Sequence, residues 1–150
     1  MTKLIERSAL VPFSADQMYD LVNDIEAFPQ FLDGCVGAEV LRREATVVEA
    51  RLDLRKSGLQ QSFATRNNLT PGHRIDMTLL QGDALQSLAG TWLFQNLGDI
   101  GSKISLHLEF EFANRLVALA VEPLFEKIAN QLVDAVCQRA TVLYQPLSNQ

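Results

Sequence analysis

Met18, Leu21, Val22 and Ile25 fall at i, i+3, i+4 and i+7, the spacing of a single apolar stripe on a helix. Ser14 and Gln17 form an S-x-x-Q capping box at its start, and Phe13 and Met18 stand at the two positions of a hydrophobic staple. The pattern predicts a helix that starts at Pro12-Phe13-Ser14 and ends between Asp24 and Ala27. Pro29 biases Phe28 toward extended backbone, so a helix continuous through Phe28-Pro29-Gln30-Phe31 is not expected, and a second short helical piece follows the first. Residues 2–11 read as a strand.

Beyond Gly34 the period changes from 3.6 to 2. Val48, Ala50, Leu52 and Leu54 alternate with Glu49, Arg51, Asp53 and Arg55, as on a half-buried strand. Ser57-Gly58 and Thr70-Pro71-Gly72 are turn signals on either side of a strand from Leu59 to Leu69. Ile75, Met77 and Leu79 then alternate with polar neighbours. A looser stretch from Gly82 to Gly90 leads into a strand from Thr91 to Leu97, with Trp92 and Phe94 on one face. The clearest alternation sets Ile104, Leu106, Leu108, Phe110 and Phe112 against Ser105, His107, Glu109 and Glu111. Successive strands with short connections predict an antiparallel meander.

From about Asn114 to Tyr144 the pattern is helical again, with Val117, Val121, Leu124, Phe125, Ile128, Leu132, Ala135 and Val136 on one stripe. At 1.5 Å per residue, a helix from Leu116 to Leu143 spans about 40 Å, enough to cross a whole sheet. Pro123 is expected to kink it or divide it in two. The fold class is therefore α+β, in one domain over residues 1–150: a curved antiparallel sheet of about six to seven strands around a long C-terminal helix. Two short helices follow the first strand. A sheet curving away from such a helix leaves an apolar space between them, a natural ligand cavity.

Composition changes this picture little: 47% hydrophobic and 21% charged residues are ordinary for a globular chain. The longest apolar run, Leu116 to Val121, is far short of the roughly twenty residues of a membrane helix. The N-terminus lacks the apolar core of a signal peptide, and Cys35 and Cys137 match no metal or redox spacing. The expected location is cytoplasmic.

Charge is more informative. The net charge of −5 argues against a general nucleic-acid binder. Between Arg42 and Arg74, however, seven cations face three acids, a segment of net +4 that leaves −9 for the remainder. Arg51 and Arg55 share the outer face of their strand. With Arg42 and Lys56 they form a candidate basic patch, the simpler alternative being a sheet face solvated by alternating charges. His107, Glu109 and Glu111 stand on one strand face and have metal-ligating chemistry, but the opposite face is the buried row, so theirs is expected to be wet. His73 reads as a turn residue. No nucleophile elbow, phosphate loop or paired Cys and His signature is visible.

Several stretches together resemble a known family. Ala9-Leu10-Val11-Pro12, Ser14 to Tyr19, Leu21-Val22-Asn23-Asp24 and Phe28-Pro29-Gln30-Phe31-Leu32 are followed in order by Thr65-Arg66-Asn67 and Gly90-Thr91-Trp92-Leu93-Phe94. Phe110-Glu111-Phe112 and Arg139-Ala140 with Tyr144 complete the set. The chain resembles the START-like coenzyme Q-binding proteins of the polyketide cyclase/lipid transport superfamily, and within them the bacterial RatA-type ribosome association toxins. The resemblance implies the helix-grip (START/Bet v 1-like) fold. It also implies a non-enzymatic role, with a hydrophobic tunnel for ubiquinone or a related isoprenoid lipid, no required cofactor, and a link to respiration.

Lining or rim residues are then Phe28, Phe31, Phe63, Met77, Leu79, Trp92, Phe94, Phe110, Leu124, Phe125 and Ile128. The toxin branch implies, as the alternative, binding to the large ribosomal subunit and hindrance of subunit joining. Arg42, Arg51, Arg55 and Lys56 are the candidate ribosome-facing patch. A peripheral membrane contact and an aromatase/cyclase-type activity are further alternatives. The family pattern usually places proline where this chain has Asp33, and Gly-Pro-Phe with a basic residue where Gly82 is followed by Asp83-Ala84-Leu85-Gln86.

Overall fold

A computed structural model describes residues 2–147. Seven strands, β1 (Lys3–Val11), β2 (Cys35–Arg43), β3 (Val47–Lys56), β4 (Leu59–Thr70), β5 (Arg74–Gln81), β6 (Leu85–Leu97) and β7 (Gly101–Phe112), form one antiparallel sheet. Its order is β1-β7-β6-β5-β4-β3-β2, so the first strand pairs with the last and the rest are successive hairpins. Helix α1 (Ala15–Asn23) and a 3-10 helix (Ile25–Gln30) lie between β1 and β2, and α2 (Arg115–Leu143) closes the chain.

The capping box forms as expected: Gln17 N donates to Ser14 Oγ at 3.1 Å, and Ser14 N to Gln17 Oε1 at 3.0 Å. Phe13 and Met18 are buried beside it. The α-helix stops at Asn23, but Phe28 is not extended as expected before Pro29. The chain tightens into the 3-10 helix, whose φ a proline readily adopts. Phe28 O then accepts from both Phe31 N and Leu32 N.

Two other expectations are corrected, and one strand was not foreseen. Pro123 does not divide α2, which runs unbroken for 29 residues. The proline falls where the helix is exposed, with Leu119 one turn before it 77% exposed, so water can serve the carbonyl it leaves without a donor. The looser stretch before Thr91 is strand: β6 begins at Leu85, and a register shift between Leu85 and Ser87 breaks the alternation that would have revealed it. Strand β2 was hidden in the same way, by shifts between Cys35 and Gly37 and between Val40 and Arg42.

The core lies between the sheet and α2. Ile104, Leu106, Leu108, Phe110 and Phe112 of β7 are all buried, and Val121, Leu124, Phe125, Ile128, Ala129, Val133, Val136 and Ala140 of α2 are buried too.

Candidate functional site

A cavity of about 100 Å³ remains between sheet and helix. Val22 of α1 and Ile25 and Phe28 of the 3-10 helix close one side of it, and Leu132 of α2 another. The sheet supplies Ala50, Leu52, Phe63, Thr65, Asn67, Ile75, Met77, Leu88, Trp92 and Leu108. Phe28, Phe63, Met77 and Trp92 thus meet as the tunnel reading expects.

The other expected lining residues are placed elsewhere. Phe94 stacks on Trp92 at 6.2 Å and meets Tyr19 edge-on at 5.6 Å. Phe125 of α2 touches Phe63, Phe110 and Phe112 at 5.7, 6.4 and 5.6 Å, so these rings pack on one another. Leu124 and Ile128 are buried on the same helix, and Leu79 packs half-buried at the core's edge. Phe31 meets Phe28 edge-on at 5.5 Å but borders a separate surface recess with Asp20, Asp24, Gln30 and Tyr144. The Arg139 guanidinium stands 5.8 Å over its ring.

Ten of the fourteen cavity residues lie outside the expected lining; eight are apolar, and two are polar. On β4 the inward row is Phe63, Thr65, Asn67 and Leu69, with Arg66 pointing outward. Thr65 and Asn67 are 9% and 5% exposed, and Thr65 Oγ1 donates to Asn67 Oδ1 at 2.8 Å. This polar pair in an apolar wall offers hydrogen bonding to a ligand oxygen or nitrogen, but no acid or base. The signal was polar residues recurring at period 2 on a buried face. Thr65→Val keeps the shape but takes the donor from Asn67, and should cost about 1–3 kcal/mol in urea unfolding.

The basic patch is largely neutralised. Arg42 pairs with Glu44 and Glu49, Arg51 with Glu39 at 3.1 Å and Asp53 at 3.0 Å, Arg66 with Glu49 at 2.8 Å and Arg74 with Asp76 at 2.8 Å. The Ser62 hydroxyl, with Arg51, holds the Asp53 carboxyl below its ordinary pKa. Arg55 is exposed and makes no ion pair among the described residues. Lys56 does not extend the patch. Strand alternation puts it on the Leu54 face, opposite Arg51 and Arg55, where it binds Asp33 at 2.8 Å.

His107 lies 3.2 Å from Glu109 and 3.7 Å from Glu6 on the exposed outer face. Among the described residues no group of three or more His, Cys, Asp or Glu is arranged to hold a metal, and no helix is long and apolar enough to cross a membrane.

Comparison with known proteins gives a consistent picture. The sequence profile of the polyketide cyclase / dehydrase and lipid transport family matches residues 11–137. A ribosome association toxin RatA from Pseudomonas aeruginosa is 44% identical over 144 residues, covering 96% of this chain and 99% of that protein. A mitochondrial coenzyme Q-binding protein COQ10 homolog B from Xenopus laevis is 25% identical over 141 residues, covering 91% and 57%. Among solved structures, the Zhui aromatase/cyclase from Streptomyces sp. R1128 superposes with a TM-score of 0.82 at 16% identity, over 94% of each chain. A START superfamily protein from Mycobacterium smegmatis gives 0.78 at 23% identity, over 94% of this chain and 99% of that one. At those identities the structural likeness speaks for the helix-grip fold.

Proposed function

This chain belongs to the polyketide cyclase / dehydrase and lipid transport family, and on that premise we propose that it is a ribosome-associating member acting by binding rather than by catalysis. The observation that carries this reading is the 44% identity, along nearly the whole of both chains, with a protein named as a ribosome association toxin. Contact with the large ribosomal subunit and hindrance of subunit joining are the mode the family resemblance implies, and a cytoplasmic site of action follows. The lining of the cavity supports binding over catalysis, since none of the described side chains that line it is an acid or a base. Purified protein should co-sediment with large subunits at low salt and shift a sucrose-gradient profile from joined ribosomes toward free subunits. Absence from every ribosomal fraction would overturn the reading.

A second reading, an isoprenoid lipid such as ubiquinone held in the cavity, draws on the apolar wall and on the similarity to a coenzyme Q-binding protein. Ligand pockets commonly run to about 300–1,000 Å³. A cavity of about 100 Å³ therefore has to open before a polyprenyl quinone enters, with Phe28 and Leu132 as the side chains to move. Native mass spectrometry and solvent extraction of protein purified from cells test it, and a ligand-free spectrum with no extractable quinone would dismiss it.

A further inference from the structure

Three strands meet around the polar pair of the cavity wall, and their side chains do not satisfy it. Thr65 stands between Ala50 of β3 and Leu79 of β5, and Asn67 between Val48 and Met77. All four of these neighbours are apolar. Among the described residues the pair makes a single side-chain hydrogen bond, from Thr65 Oγ1 to Asn67 Oδ1 at 2.8 Å. That bond commits the hydroxyl proton and the amide oxygen. The two N–H donors of Asn67 Nδ2 are left over, in a residue only 5% exposed. Buried donors are almost always paired in folded proteins. Asn67 lines the cavity, so the missing acceptor belongs in that space.

The rest of the lining narrows what the acceptor is. No lining side chain carries a charge, so a carboxylate or phosphate drawn inside would lose its water and meet no opposite charge. Fatty acids and phospholipid head groups are refused on that ground, and a neutral oxygen is accepted. Phe28, Phe63, Trp92 and Met77 border the same space with three rings and a thioether, surfaces that pack well on a flat ring. The cavity of about 100 Å³ is on the scale of one such ring, since an apolar cavity of about 150 Å³ holds benzene.

We propose that the Thr65–Asn67 pair is the anchor for a neutral ring carbonyl, and that the ligand lies with this polar end against β4. Thr65 holds the amide oxygen, and Asn67 offers its N–H groups to the carbonyl. The inference deepens the second reading above, on which it rests for a ligand in the cavity, by naming the end of the ligand that is recognised and the head groups that are refused.

Cyclohexanone is the probe, with methylcyclohexane and cyclohexanecarboxylate as controls on the same ring. NMR titrations followed at the indole N–H of Trp92, the single tryptophan, report occupancy of the cavity. The ketone and the hydrocarbon should bind, and the carboxylate should not at pH 7. The carbonyl stretch of bound cyclohexanone should lie at lower wavenumber than in hexane, the mark of an accepted hydrogen bond. Thr65→Val combined with Asn67→Leu replaces both partners together by apolar groups of similar shape, a change that is often nearly neutral for stability, and thermal melts check it. In that variant cyclohexanone should bind about two- to tenfold more weakly. Its stretch should return to the hexane position, while methylcyclohexane binds at least as well as before. If the variant does not fold, the Asn67 side-chain amide protons of the wild type decide, since they should move downfield as the carbonyl binds. Cyclohexanone that does not bind the wild type, binds with its stretch at the hexane position, or binds the double variant equally well overturns the anchor. So does a wild type that takes the carboxylate as readily as the ketone. Extracted quinone together with a hexane-like stretch would leave the lipid reading without the anchor. A shifted stretch with no extractable quinone would keep the anchor and remove the isoprenoid lipid as its ligand.

Discussion

Phe125→Ala should lower the unfolding free energy by about 3–5 kcal/mol, the cost of emptying a buried aromatic site. For a chain of this size that corresponds to a melting point lower by about 6–20 °C, since 1 kcal/mol shifts it by about 2–4 °C. Phe125 is 6% exposed and contacts Phe63 of β4 and both Phe110 and Phe112 of β7, so it holds α2 to two strands that are not neighbours in the sheet. Removing the ring takes from Phe63 the ring it meets and leaves Phe110 and Phe112 only each other, edge-on at 5.6 Å. Phe125→Leu fills most of the space and should lose clearly less. Urea melts of the two variants against wild type make the measurement. A loss below about 1 kcal/mol for the alanine variant would mean the rings are not a packed cluster. The space around them would then be an extension of the cavity, which is the outcome a long lipid tail requires.

Gly101→Ala should be as damaging by a different route. A Cβ at this position would lie 2.1 Å from Val11 O, 3.1 Å from Val11 C and 3.2 Å from Pro12 Cα. All three atoms are backbone, so no rotamer change relieves the clash, and either β1 or β7 has to shift. Overpacking commonly costs about 1–3 kcal/mol and sometimes more, and a fixed backbone contact this short belongs at or above the upper end. The expected result is low soluble yield, with faster amide exchange at the Val11 end of β1 than at the Lys3 end. Normal yield and uniform protection along β1 would show that the two strands separate there at little cost.

The two helices and the later strands were legible because their apolar spacing is regular and their boundaries carry strong chemistry, as with Ser14 and Gln17 before α1 or the five-residue row of β7. What the sequence concealed was irregular. The shifts in β2 and at the start of β6 displace side chains by one position, and one position is enough to erase a period of 2. Pro123 misled for another reason: the exposure of the first turns of α2, which decides whether a missing N–H matters, is a tertiary property.

The candidate site was legible only in its aromatic and methionine residues. Trp92, Phe28, Phe63 and Met77 could be drawn together by the fold, whereas Phe110 and Phe125 looked the same in sequence and turned out to pack on one another. Thr65 and Asn67 needed the strand's inward face to be known before their burial had any meaning.

The pairing of β1 with β7 sets a schedule for synthesis. Each of the five strands from β3 to β7 finds a partner in the neighbour translated just before it, so the meander can form hairpin by hairpin as it emerges. β1 leaves first and waits longest: Lys3 pairs opposite Phe110, and Val11 opposite Ser102. Long-range pairings of this kind close slowly because the loop must be ordered before the contact rewards it. Through that interval Ile5 and Val11, and the row on the concave face that α2 will cover, are without their final neighbours. The N-terminal strand is therefore the last part of the sheet to be secured although it is the first to exist. A chain stalled before Gly101 carries β1 as an unpaired strand, the form most open to pairing with another chain.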